Sequence, residues 1–73
     1  PQRAIGYYLW KADELIKQRS RDRYAEAAGY LQRVKRLSGD TGQMDAWANT
    51  IRAIRENNKK LPALQDELKK AGL

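Results

Sequence analysis

The chain has neither cysteine nor histidine among its 73 residues. Without thiols it forms no disulfide, and without thiolate or imidazole donors it lacks the ordinary ligands of zinc. The same absences remove the thiol nucleophile and the one side chain that titrates near neutral pH. We therefore expect no bound metal and no other cofactor.

Long apolar runs are also missing, since no unbroken stretch of apolar residues exceeds a few positions. Such stretches are too short to cross a bilayer or to form the core of a signal peptide. The sequence therefore predicts a cytoplasmic location without membrane contact.

Proline occurs only at positions 1 and 62, and the few β-branched residues do not alternate with polar ones. Good helix formers dominate instead, which predicts an all-α fold. Short loops make neighbouring helices antiparallel. We expect one domain over residues 1–73, built as a bundle of two stacked helical hairpins. The four predicted helices cover 3–17, 21–37, 43–57 and 62–71.

Polar and glycine residues mark the expected helix ends. Ser20 is a good N-cap for the second helix, and Gly39 is placed to stop it. Asp40 or Thr41 would then cap the third helix, and Gly72 would stop the fourth.

Apolar residues at helical spacing predict the core. The small residues at 27–29 are expected to let another backbone approach closely, which would offset the helix penalty of the glycine. The residues expected to share one core are Leu31, Val34, Trp47, Ile51 and Ile54.

Tyr7 and Trp10 do not follow the core pattern. They are three residues apart on the first helix, on the side opposite Ile5 and Leu9. One interpretation buries them within the domain, for instance beneath the fourth helix. The other makes them a binding surface for a protein partner, the rest of a larger chain, or a second copy in a homodimer. The aromatic residues that do follow the core pattern are Tyr8, Tyr24 and Trp47.

Positive charge is concentrated in one segment. The chain has 15 Lys and Arg against 9 Asp and Glu, and residues 17–36 hold seven of the bases but only two of the acids. This segment is a candidate for weak binding to nucleic-acid phosphates, but no face carries an obvious set of base-reading side chains. The candidate phosphate contacts are Lys17, Arg19, Arg21, Arg23, Arg33 and Arg36.

Catalytic chemistry has little support. Four of the nine carboxylates form two adjacent pairs, at 13–14 and 66–67, and adjacent helical residues do not converge on one point. The loop at 39–42 has two glycines, but it lacks the lysine and the preceding strand of a phosphate-binding loop. We therefore predict that the chain is not an enzyme.

The second helix is similar to that of a tetratricopeptide hairpin, in which small residues allow close helix packing. Residues 23–73 resemble the C-terminal helical region of bacterial SWIM zinc finger family proteins, although the Cys and His of the SWIM motif are absent. The resemblance implies a fragment of a larger bacterial protein with a scaffold role, and it carries over no zinc or nucleic-acid function. The matching residues are the run 23–34 (RYAEAAGYLQRV), Trp47, Ile51 and the run 61–68 (LPALQDEL).

Two hypotheses follow. The first is a non-catalytic helical-repeat interaction or scaffold module that uses Tyr7 and Trp10. The alternative is an accessory domain that binds the phosphate backbone of nucleic acids through its basic segment.

Overall fold

Four α-helices make up most of the computed structural model, which describes the backbone of residues 2–73 and the side chains of residues 3–73. No strand occurs within that range. The prediction of a small all-α bundle is confirmed. The helices are α1 (Gln2–Lys17), α2 (Arg21–Asp40), α3 (Met44–Asn57) and α4 (Pro62–Lys70).

Helix α2 is the centre of the bundle, because α1, α3 and α4 all pack against it. Its apolar stripe is wide enough to face several neighbours at once. Leu31 is completely buried and Val34 nearly so. A defect in α2 would therefore disturb the packing of every other helix.

The core joins apolar residues from all four helices. Of the residues predicted to share it, Leu31, Val34 and Trp47 are buried, whereas Ile51 and Ile54 are half-buried and pack against its edge. The other buried apolar residues are Ala12, Leu15, Ile16, Tyr24, Ala27, Ala28, Leu64 and Leu68.

Helix α2 continues past its predicted stop at Gly39 and ends at Asp40. The backbone N–H of Thr41 donates to the carbonyl oxygen of Leu37 at 3.0 Å, and the Thr41 hydroxyl donates to the same oxygen at 2.8 Å. The left-handed backbone conformation occurs at Gly42, where φ is 70°. The prediction for Gly39 was wrong because the chain reverses at the second glycine of the loop.

The other helix ends agree in part with the predictions. Ser20 occupies the N-cap of α2 in an extended conformation, although its hydroxyl makes no capping hydrogen bond. Gln43, rather than Asp40 or Thr41, is the N-cap residue of α3. Gly72 follows α4 with a φ of 76°, in agreement with its predicted role as a stop.

Gly29 does not mediate a close approach of helices. A Cβ atom built at this position would meet no other atom within 4 Å. Its neighbours Ala27 and Ala28 are 0% and 3% exposed and belong to the core. The prediction of a close approach is therefore wrong for the glycine, whereas the two alanines are buried as core residues.

Candidate functional site

The side chains of Tyr7 and Trp10 lie on the outer face of α1. The two residues are 52% and 56% exposed. Their ring centroids are 6.1 Å apart with an interplanar angle of 41°, so the rings contact each other in a tilted arrangement. Helix α4 packs on α2. The interpretation in which α4 folds over these rings is therefore wrong.

The aromatic contact extends from α1 to α2. The Tyr7 and Tyr8 ring centroids are 5.9 Å apart in an edge-on arrangement, and those of Tyr8 and Tyr30 are 5.8 Å apart. Tyr8, predicted to be core, is only half-buried, as is Tyr30. We call this row of contacting rings (Trp10, Tyr7, Tyr8 and Tyr30) the aromatic strip. It contains four of the six aromatic residues of the chain.

Arg33 lies at the α2 end of the aromatic strip. The central guanidinium carbon is 5.7 Å from the ring centroid of Tyr8 and 5.2 Å from that of Tyr30, within the range of cation–π attraction. Arg33 and Arg36 also line an open depression of about 670 Å³ beside Tyr8. The contact of Arg33 with Tyr8 could not be predicted from the sequence, because it depends on how α1 packs against α2.

Several bases of the predicted phosphate-binding segment are already paired with carboxylates nearby. The Lys17 ammonium is 3.1 Å from a carboxylate oxygen of Asp13 and 3.6 Å from one of Glu14. The hydrogen bond and charge of Asp13 raise the pKa of Lys17 above its ordinary value. Arg23 pairs with Glu26 at 2.9 Å. These pairs reduce the charge that Lys17 and Arg23 could offer to phosphates.

Arg21 connects the start of α2 with α4. Its guanidinium lies 3.2 Å from a carboxylate oxygen of Asp66 and 3.3 Å from one of Glu67. Hydrogen bonds from Arg21 and Lys70 lower the pKa of Asp66 below its ordinary value. These contacts explain the adjacent carboxylates of α4 as partners of Arg21 and Lys70.

The remaining candidate bases are divided between two places. Among the described residues, no carboxylate oxygen lies within 4.0 Å of Arg19, Arg33 or Arg36. Arg19 lies in the turn between α1 and α2, with a left-handed φ of 51°. Arg33 is about 18 Å further along the axis of α2 than Arg21, from the rise per helical residue. The six candidate bases therefore do not form one continuous patch.

A second groove, of about 400 Å³, lies between α1 and α3. Leu9, Ala12, Ile16 and Ile54 contribute apolar surface to it, and Asp13 contributes the one carboxylate. Within the described chain, no three carboxylates lie close enough together to hold a metal ion. The groove thus offers apolar contact and carries no recognisable catalytic group.

None of the helices of the described chain has the length and apolar character needed to cross a lipid bilayer.

Comparison with known proteins gives one weak sequence match. The chain is 33% identical over all 73 residues to part of the Bacillus subtilis (strain 168) protein described as "Uncharacterized protein YwqB", and it spans 14% of the length of that protein. No family model matches the chain, and no solved structure matches it. The resemblance to SWIM zinc finger family proteins therefore stays a prediction.

Proposed function

We propose that this domain is a non-catalytic interaction module that binds a protein partner through Tyr7 and Trp10. The observation that carries the proposal is the exposure of two large contacting rings on one helix face. Tryptophan and tyrosine are enriched among the residues that dominate binding energy at protein interfaces. The length of the Bacillus relative supports a place for such a module within a larger bacterial protein, as a tetratricopeptide-like scaffold element.

The exposed rings could supply enough energy to anchor a partner. Each aromatic side chain offers about 150–250 Å² of surface, and about half of it is still accessible to solvent here. Burial of about 100 Å² from each ring contributes at most about 2.5 kcal/mol per ring at 25 cal/mol per Å², before the entropy lost on association is subtracted. This contribution exceeds that of a typical exposed ion pair, which is below about 1 kcal/mol.

Replacement of both rings tests this role. We expect the Tyr7→Ser/Trp10→Ser variant to keep its helical circular dichroism and to lose at least about tenfold in affinity for its protein partner. The measurement is quantitative capture of proteins from a bacterial extract by the immobilised 73-residue chain and by the variant.

Two control variants sharpen this test. Arg52→Ser/Arg55→Ser changes two exposed residues at the same spacing on α3 and should leave capture unchanged. Tyr7→Phe/Trp10→Phe retains aromatic surface and should retain most of the binding. Equal capture of the same proteins by the wild-type chain and the Tyr7→Ser/Trp10→Ser variant would show that these rings are not the anchor.

Binding to nucleic-acid phosphates is the second hypothesis. It now depends on Arg19, Arg33 and Arg36, the candidates without a neighbouring carboxylate in the described chain. Tyr8 and Tyr30 beside Arg33 would add a surface on which bases could stack.

Salt dependence tests this hypothesis. If the chain contacts three phosphates, a plot of the logarithm of the binding constant for duplex DNA against the logarithm of the salt concentration should have a slope of about −2.7. Arg33→Gln/Arg36→Gln should reduce that slope to about −0.9 if each base neutralises one phosphate. Absence of wild-type binding to single-stranded and duplex DNA at about 50 mM salt would exclude it.

A further inference from the structure

Five residues of α1 form a second stripe on the side away from the core. They recur at alternating intervals of four and three residues, the spacing that brings side chains into line in coiled coils. Four of them are exposed and Glu14 is half-buried. We call this set the outer stripe: Arg3, Tyr7, Trp10, Glu14 and Lys17.

The order of residues in the outer stripe suits antiparallel pairing with itself. Arg3 precedes Tyr7 by four positions, and Glu14 follows Trp10 by four positions. When two α1 helices pair so that Tyr7 faces the partner's Trp10, Arg3 faces the partner's Glu14. A two-fold axis then repeats each of these contacts, as in other symmetric dimers.

The charges of the outer stripe support this pairing. No carboxylate oxygen lies within 4.0 Å of Arg3 in the described chain. The side chain of Glu14 is 45% exposed, and its Lys17 neighbour at 3.6 Å lies closer to Asp13, at 3.1 Å. A parallel pairing in register would instead place Arg3 beside Arg3 and Glu14 beside Glu14, which is unfavourable.

The local charge of α1 opposes a second copy only weakly. The chain as a whole carries a net charge of +6, which opposes close approach of two copies. Helix α1, however, carries three bases and two acids, a net charge of +1. The outer stripe thus lies on a helix that carries little of the excess positive charge.

On these grounds we infer that the partner of the Tyr7–Trp10 surface is a second copy of the chain, paired antiparallel through the outer stripe. The inference rests on the function proposed above for this surface. The stripe spans about 21 Å along the helix. One pair of such helices buries less than the roughly 800 Å² per partner of a standard interface. We therefore expect a weak dimer that forms only at high protein concentration.

Charge reversal tests the pairing directly. In sedimentation equilibrium up to about 1 mM protein, we expect Arg3→Glu and Glu14→Arg each to weaken self-association about tenfold, because each turns two attractive contacts into two repulsive ones. The double variant Arg3→Glu/Glu14→Arg restores both contacts and the wild-type net charge, so it should dimerise like the wild-type chain. Circular dichroism of all four proteins checks that the helices remain folded.

Engineered thiols report the direction of pairing. Because the chain has no cysteine, each introduced thiol is unique. A mixture of Arg3→Cys and Glu14→Cys proteins should form a disulfide between the two, whereas each variant alone should cross-link little. Preferential cross-linking of each variant with itself would overturn the antiparallel arrangement.

The outcomes separate this inference from the proposed function. A wild-type chain that stays monomeric at about 1 mM would overturn the dimer. The interaction role would survive if Tyr7→Ser/Trp10→Ser still abolished capture of another protein. A dimer that persists undiminished in Tyr7→Ser/Trp10→Ser would overturn pairing through the outer stripe, whereas equal capture of other proteins by this variant and the wild-type chain would overturn the proposed function. Failure of the double reversal to restore association lost by the single reversals would overturn the pairing of Arg3 with Glu14.

Discussion

Trp47→Ala is expected to lower the free energy of unfolding by about 3–5 kcal/mol, because it leaves a large cavity in the core. Trp47 is the fully embedded aromatic residue of α3 and is 5% exposed. A domain of this size has a total stability of about 4–11 kcal/mol, so the loss could remove most of it. The measurement is urea denaturation followed by circular dichroism.

The second tryptophan of the chain is the matched control. Trp10 is 56% exposed, so we expect Trp10→Ala to change the free energy of unfolding by only about 0.5 kcal/mol. Trp47→Phe keeps most of the ring volume and provides a milder variant if the alanine variant fails to fold. Equal destabilisation by Trp10→Ala and Trp47→Ala would contradict the assignment of one ring to the core and the other to the surface.

Leu31→Ala is expected to lower the free energy of unfolding by about 2–5 kcal/mol. The Leu31 side chain is completely buried, and it lies on the helix that contacts the other three. Leu61 lies at the start of α4 and is half-buried. Its replacement by alanine should lower the free energy of unfolding by only about 1 kcal/mol. Thermal unfolding followed by circular dichroism compares the two variants.

The cooperativity of Leu31→Ala unfolding tests the central place of α2. Because α2 contacts the other three helices, we expect Leu31→Ala to lower the protection of backbone amides against hydrogen exchange in all four helices together. Loss of protection in α2 alone, with α1 and α4 unaffected, would show that the helices do not depend on α2 as the packing predicts.

The helices were predictable because local signals determine them. Apolar periodicity, the scarcity of proline and the helix-end signals at Ser20 and Gly72 placed all four within a few residues of their observed bounds. The end of α2 was missed because two glycines, at positions 39 and 42, lie close to it and either could have stopped the helix. The choice of Gly42 over Gly39 for the left-handed conformation depends on how Thr41 bonds to Leu37, and composition does not reveal that contact.

The candidate site was predictable where it depends on one helix. The exposure of Tyr7 and Trp10 was one of two interpretations that their position opposite the core stripe of α1 left open, and the structure places both rings at the surface. The pairing of Arg21 with Asp66 joins residues 45 positions apart, and it appears only when α4 packs on α2. The segment 17–36 was therefore predicted to be more available to phosphates than it is.

The most direct measurement of the interaction surface is iodide quenching of Trp10 fluorescence in a Trp47→Phe chain, in which Trp10 is the one remaining tryptophan. We expect Trp10 to be readily quenched at about 10 µM protein and progressively protected toward about 1 mM, as association buries the ring. Proteins retained by the immobilised chain should protect it in the same way. Quenching that stays constant at every concentration and with those proteins present would contradict a role for this surface in association.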